Sequence, residues 1–230
     1  MKFGIIKERK NPPDRRVVFT PEELVRLQSE HPEAEIKVES SDIRIFSDDQ
    51  YRNLGLNVTT DVSDCDVLFG VKEVPIDALI PNKKYFFFSH TIKKQPYNRK
   101  LLQAILAKNI ELYDHETIVD ATNHRLIGFG RYAGLVGAYN GFRGFGIKYD
   151  LFTLPKAETL SGKEDLIARL KRQTLPNIKI VLTGHGKVGM GAKEILDGIK
   201  IKQVSVDDFL NKKYTEPVYT QIDVLDYNKR

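Results

Sequence analysis

The chain has 230 residues, too many for one minimal domain and few for two full α/β domains, so it holds one large domain or two small ones. Hydrophobic residues at 41% and charged residues at 29% exclude a disordered charged tail. Lys plus Arg number 36 against 31 Asp plus Glu, a net +5; with acids and bases interleaved, as in Lys7-Glu8-Arg9-Lys10, this excludes the basic face of a nucleic-acid binder and suits an enzyme that gathers anionic substrates.

Strand-like and helix-like segments alternate from the N-terminus. Lys2–Ile6 reads as a strand. Thr20-Pro21-Glu22-Glu23 opens a helix with a capping box and a proline at the first helical position, and Leu24 and Leu27 mark its inner face. Glu35–Val38 is a second strand, and Ser47 caps a short helix that stops at Gly55. Asp66–Gly70 and Lys84–Ser89 are further strands, followed by a helix over Asn98–Lys108 and a strand over Ile110–Tyr113. This alternation predicts an N-terminal parallel α/β lobe, its sheet covered on both faces.

The texture changes near residue 126, where a run rich in small residues predicts a connecting helix. The domain boundary is placed at 130, with a substrate and catalytic lobe over 1–130. Residues 131–230 are read as the connecting helix and the start of a Rossmann dinucleotide-binding domain. Within it, a helix covers Glu164–Lys171 and an apolar strand Asn177–Thr183.

A single cysteine, Cys65, excludes an internal disulfide and a cysteine-based zinc site, and suits a reducing compartment. No pair of histidines has metal-ligand spacing, so no metal is expected. The longest low-charge stretch, Leu126–Ile147, holds Arg131, Arg143 and seven glycines and makes a poor membrane span. The expected location is cytoplasmic. The expected partners are a small amino-acid substrate and at most a homo-oligomer, with neither nucleic acid nor membrane.

Gly184-His185-Gly186-Lys187-Val188-Gly189 is G-x-G-x-x-G, placed after an apolar strand and at the entry to a helix over Val188–Leu196. Gly184 permits the tight turn, Gly186 the approach of a pyrophosphate, and Gly189 close helix–strand packing, while Lys187 and Val188 open the helix whose N-terminus attracts the phosphates. The next strand is read as Lys202–Val206. A ribose-binding acid is expected about 20 residues on, at its end. Ser205 stands there, with Asp207 just beyond, so NAD and NADP both remain open. Two strands of this second domain are legible, against about six in a complete dinucleotide fold, and the sequence is expected to stop partway through it.

Three polar clusters stand at element ends, where an α/β sheet places its site. They are Asp14-Arg15-Arg16, then Val71-Lys72-Glu73, then Ser89-His90-Thr91-Ile92-Lys93-Lys94-Gln95. A guanidinium holds a carboxylate in a forked pair, and a lysine and a histidine both move protons. Arg16, Lys72, His90 and Lys93 therefore suit an amino- or keto-acid substrate. The bland alternatives are a surface arginine, a solvated Lys72–Glu73 pair and a core histidine.

Arg16-Val17-Val18-Phe19-Thr20-Pro21, Val71-Lys72-Glu73 and the histidine after a strand resemble the family of alanine dehydrogenase, the nicotinamide nucleotide transhydrogenase α-subunit and lysine-forming saccharopine dehydrogenase. Tyr85–Gln95 and Phe129–Gly134 are most similar to the saccharopine branch, including the lysine–oxoglutarate reductase half of aminoadipic semialdehyde synthase. The resemblance implies an NAD(P)-dependent oxidoreductase acting on a C–N bond, converting saccharopine to lysine and 2-oxoglutarate or the reverse. It implies Lys72 and His90 as the acid–base pair, with Arg16, Lys93, Gln95 and Arg131 about the substrate. Gly184, Gly186, Lys187, Val188, Gly189, Ser205 and Asp207 are left to the cofactor. Alanine dehydrogenase and a non-catalytic N-terminal fragment are the competing readings.

Overall fold

A computed structural model describes residues 1–228. Its packing divides the chain into two compact units, Met1–Gly128 and Phe129–Arg230.

The first unit is built on a parallel sheet of six strands. In chain order these are β1 (Lys2–Ile5), β2 (Glu35–Glu39), β3 (Asn57–Thr59), β4 (Val67–Phe69), β5 (Lys84–Phe87) and β6 (Glu111–Asp114). Helices α1 (Pro21–Glu30), α2 (Asp48–Arg52) and α3 (Arg99–Ala107) connect them. The spatial order is β3-β2-β1-β4-β5-β6, so the chain winds outward from β1 in one direction and then, from β4, in the other. That reversal leaves a crevice between the carboxyl ends of β1 and β4, where open α/β sheets bind ligands.

The helix starts follow from sequence chemistry. Thr20 caps α1 and Ser47 caps α2, each in a full capping box. Gly55, at φ +80°, takes the left-handed turn that leads from α2 to β3. Side chains alternate across the strands and make two cores. Leu68, Tyr85 and Phe87 pack one face with Leu101 and Ile105 of α3, and Ile5, Ile36 and Val38 pack the other with Leu24 of α1 and Tyr51 of α2. Each such burial stabilises by about 1.5–3 kcal/mol, enough to hold short strands in register.

The second unit contains α4 (Gly130–Lys148), α5 (Lys163–Lys171), β7 (Lys179–Thr183), α6 (Lys187–Gly198), β8 (Lys202–Gln203), α7 (Val206–Asn211), β9 (Val218–Ile222) and α8 (Val224–Tyr227). Its core gathers Leu135, Tyr139 and Phe142 of α4, Leu166 and Leu170 of α5, Ile195 and Leu196 of α6 and Tyr219 of β9. Glycines set the α4–α6 contact: a Cβ at Gly134 would stand 2.0 Å from the Val188 carbonyl oxygen, and one at Gly191 would stand 2.0 Å from that of Arg131.

Here the structure departs from the sequence expectation. A third strand, β9, lies between β7 and β8 and pairs in parallel with both. Val218, Tyr219 and Thr220 are buried, as β-branched and aromatic residues of a central strand should be. The strand expected over Lys202–Val206 is only Lys202–Gln203. Ser205 leaves the sheet because its hydroxyl accepts from the Asp208 backbone N–H and caps α7. The short strand β3 also lies outside the elements read from sequence.

Candidate active site

The polar groups of the first unit collect at the carboxyl ends of β1, β4, β5 and β6. After β1 the chain passes Lys7, whose backbone N–H donates to the buried Glu39 carboxylate (3.0 Å), and reaches Glu8. Glu8 is only 8% exposed. Its two carboxylate oxygens accept from the backbone N–H groups of Val71 (2.7 Å) and Lys72 (2.9 Å), tying the segment after β1 to the loop after β4. Burial pushes the Glu8 carboxyl up, against the pull of those two bonds.

His90 follows β5 with φ +56°, a left-handed conformation that a residue with a side chain adopts at some cost. The turn is pinned from below. Buried Asp114, at the end of β6, accepts a short hydrogen bond from the Ser89 hydroxyl and also accepts from the Glu116 backbone N–H (2.8 Å). Ser89 Oγ in turn accepts from the Thr91 backbone N–H (3.1 Å). Asp114 thus holds the two turns that carry His90 and Glu116.

The side chains then converge. Lys72 Nζ stands 3.5 Å from His90 Nε2, and the opposite ring nitrogen, Nδ1, stands 3.1 Å from Glu116 Oε2. Lys93 Nζ stands 3.4 Å from the same Nδ1, so that nitrogen faces a carboxylate and an ammonium at once, and Lys72 donates toward Nε2 in the tautomer protonated at Nδ1. Phe88 stacks against the imidazole with ring centroids 6.3 Å apart. Glu116 also pairs with Lys93 (3.3 Å) and Arg125 (3.4 Å). Burial alone would raise the Glu116 carboxyl; the bonds from His90 and Lys93 and the charges of Lys93 and Arg125 outweigh it and leave it below the usual carboxylate range. Glu73 behaves alike: burial is outweighed by the 2.7 Å bond from Lys10 and by the nearby charges, and its other oxygen lies 3.7 Å from His90 Nε2.

Arg16 binds Asp14 through Nε (2.9 Å) and Nη2, which holds the Asp14 carboxyl low and the guanidinium high. Asp14 also feels the charges of Lys72 and Glu8. Among the described residues, Gln95 is exposed and its amide oxygen accepts from the Tyr97 hydroxyl rather than joining the Lys72–His90 cluster. His115 is buried and donates from Nε2 to the Gly70 carbonyl (3.1 Å). Among the described residues no group of His, Cys, Asp and Glu side chains has the arrangement of a metal site.

In the second unit Arg131 lies on α4 with its fork taken up by Glu194 of α6, at 2.6 and 2.7 Å. Gly184 has φ +82°, a Cβ at Gly189 would stand 2.2 Å from the Gly184 carbonyl oxygen, and Gly186 faces open space at the start of α6, where Lys187 and Val188 form the first turn. A tight turn, a close helix and an open approach to a 12-residue helix fit a pyrophosphate. Ser205 and Asp207 sit elsewhere than expected. The strand beside the glycine turn is β9, not β8, because the Gly184 N–H donates to the Ile222 carbonyl (2.7 Å) and Gln221 Nε2 donates to the Gly184 carbonyl (2.9 Å). Ser205 is engaged in its cap, and Asp207 accepts from Asn211 Nδ2 (2.8 Å).

Sequence reasoning missed Glu8, Asp114 and Glu116 as members of the Lys72–His90 cluster. Glu116 was within reach, since it follows a strand end as His90 does.

Comparison with known proteins identifies the family. The profile of the alanine dehydrogenase/PNT N-terminal domain matches residues 4–136, more than half of the chain. The chain belongs to this family. The family is one of oxidoreductases, whose dehydrogenases typically bind NAD(P). Alpha-aminoadipic semialdehyde synthase of Arabidopsis thaliana is 31% identical over 214 residues, covering 84% of this chain and 20% of that protein. The mitochondrial enzyme of the same name from Bos taurus is 31% identical over 208 residues, covering 78% and 22%. Saccharopine dehydrogenase [NAD(+), L-lysine-forming] of Yarrowia lipolytica is 27% identical over 192 residues, covering 75% and 51%. The chain therefore spans about a fifth of the synthases and about half of that dehydrogenase. The fold is that of L-alanine dehydrogenase, with a TM-score of 0.62 at 18% identity over 95% of this chain and 60% of that one. The transhydrogenase of Sinorhizobium meliloti gives 0.60 at 17% identity, over 86% and 56%. Among the described residues no helix is long and apolar enough to cross a membrane.

Proposed function

We propose that the chain carries the acid–base lobe and the pyrophosphate cradle of an NAD(P)-dependent oxidoreductase that acts on the C–N bond of saccharopine. The supporting observation is the Lys72–His90–Glu116 array, with Lys72 3.5 Å and Glu116 3.1 Å from opposite nitrogens of one imidazole. A bound nicotinamide would supply the hydride acceptor for the carbon that bears the substrate nitrogen. Lys72 takes the proton from that nitrogen, so that loss of hydride and proton together leaves a C=N bond. His90 then accepts a proton from the water that adds to the carbon, and Glu116 stabilises the imidazolium formed. Return of that proton to nitrogen completes a carbinolamine; its hydroxyl proton then passes to the nitrogen as the C–N bond breaks, releasing an amine, lysine, and a 2-oxo acid, 2-oxoglutarate.

Saccharopine carries three carboxylates, and cations are dense around this array. Arg16 and Lys93 are assigned to substrate carboxylates, with Arg125 beside Lys93 on Glu116. Gly184, Gly186 and Gly189 would hold the pyrophosphate, with Lys187 and Val188 in the first turn of α6. The test is formation of reduced cofactor by protein containing this chain, with saccharopine and with alanine side by side. Saccharopine should be the faster substrate. Lys72→Met and His90→Gln should each lower turnover about 10²-fold or more, the scale of a lost general acid or base. Preference for alanine would make the protein an alanine dehydrogenase, and near-normal turnover in both variants would remove the pair from the chemistry.

A further inference from the structure

We infer that Asp223 selects a cofactor whose ribose 2′-hydroxyl is free, and hence NAD over NADP; this rests on the dinucleotide reading above. A dinucleotide laid over a glycine turn places its adenosine ribose at the end of the neighbouring strand, where an acidic side chain accepts from the 2′-hydroxyl. In this unit the neighbour of β7 is β9. Their register pairs Thr183 with Ile222, so the next residue, Asp223, stands across from Gly184. Two hydrogen bonds close this edge, Gly184 N–H to Ile222 O and Gln221 Nε2 to Gly184 O, so the end of β9 and the turn move as one piece.

The Asp223 carboxylate is within reach of a ligand. Its side chain is 64% exposed. The side chain caps α8, accepting from the Val224 N–H (2.6 Å, at Oδ1) and from the Asp226 backbone N–H, and Oδ2 lies 3.9 Å from Nδ1 of His185, itself within the glycine turn. The earlier candidates lack this placement. Ser205 and Asp207 follow β8, which β9 separates from β7. A carboxylate beside the ribose favours a hydroxyl donor and repels a phosphate dianion, so one residue supplies both the attraction and the exclusion.

The experiment measures dissociation constants of NAD⁺ and NADP⁺ by calorimetry on the whole chain and on two variants. The unaltered chain should bind NAD⁺ about tenfold or more tightly than NADP⁺, a difference of about 1.4 kcal/mol. Asp223→Asn keeps a good helix cap while removing the charge, and should bring the two constants close together, chiefly by tightening NADP⁺. Asp207→Asn should leave the ratio unchanged. A ratio that survives Asp223→Asn, a ratio that collapses in Asp207→Asn, or equal binding by the unaltered chain overturns the assignment. Failure of the unaltered chain to bind either nucleotide overturns the dinucleotide reading itself, and this inference with it.

Discussion

The glycine that seats α6 against β7 makes a demanding test of how the second unit is built. An alanine Cβ at Gly189 would stand 2.2 Å from the Gly184 carbonyl oxygen and 3.0 Å from its carbon. Ordinary contact needs at least about 3.4 Å, so α6 would have to retreat by roughly 1 Å. The retreat is blocked. At 100° per residue, Gly191 lies about 160° around the helix from Gly189, and there α6 already touches α4, where a Cβ would stand 2.0 Å from the Arg131 carbonyl oxygen. Moving off the turn drives α6 into α4. Overpacking costs about 1–3 kcal/mol where neighbours can relax, and with both sides closed Gly189→Ala should cost about 3 kcal/mol. Gly137→Ala is the control. Gly137 lies within α4 with nothing within 4 Å of its would-be Cβ, so helix propensity alone should stabilise by up to about 1 kcal/mol. Urea unfolding followed by circular dichroism measures both. A Gly189→Ala variant within about 0.5 kcal/mol of the parent, the size of an ordinary surface change, would refute this account. So would a Gly137→Ala variant that is equally damaged.

The remaining expectations concern the first unit. Glu116 has its carboxyl held low in the folded protein, so its ion pairs contribute stability that is present above the unfolded carboxylate pKa, about 4.3, and lost as pH falls through the folded value. Thermal melts from neutral to acid pH should therefore fall less steeply for Glu116→Gln than for the parent, and identical slopes would remove Glu116 from the account. Leu68 is wholly buried in the sheet, and Leu68→Ala should cost about 2–5 kcal/mol in denaturant unfolding; a cost under about 1 kcal/mol would mean the core is loosely packed there. Cys65 is buried, with its thiol pushed up to about 11, chiefly by burial. It should resist a thiol reagent in native buffer and react fully once unfolded, and rapid native labelling would contradict its place in the core.

Much of the first unit was legible from sequence because local signals and packing agree there. Thr20 and Ser47 announce their helices through side-chain bonds that need no distant partner, and the apolar runs of β1, β2, β4 and β5 suit a sheet covered on both faces. Lys72 and His90 could be named as polar residues at the ends of apolar strands. The glycine turn could be found because its three positions obey short-range sterics. What sequence left undecided depends on strand order, which hydrophobic periodicity does not encode. Nothing in Lys202–Ser205 or in Val218–Ile222 states which strand lies beside β7, and that choice moved the residue facing the glycine turn from Ser205 to Asp223. The partners of His90 were likewise settled by tertiary structure. Glu116 reaches the imidazole from another strand end because buried Asp114 binds both turns. Glu8 reaches the Lys72 backbone from 64 residues away because β1 and β4 are neighbours at the point where the winding of the sheet reverses.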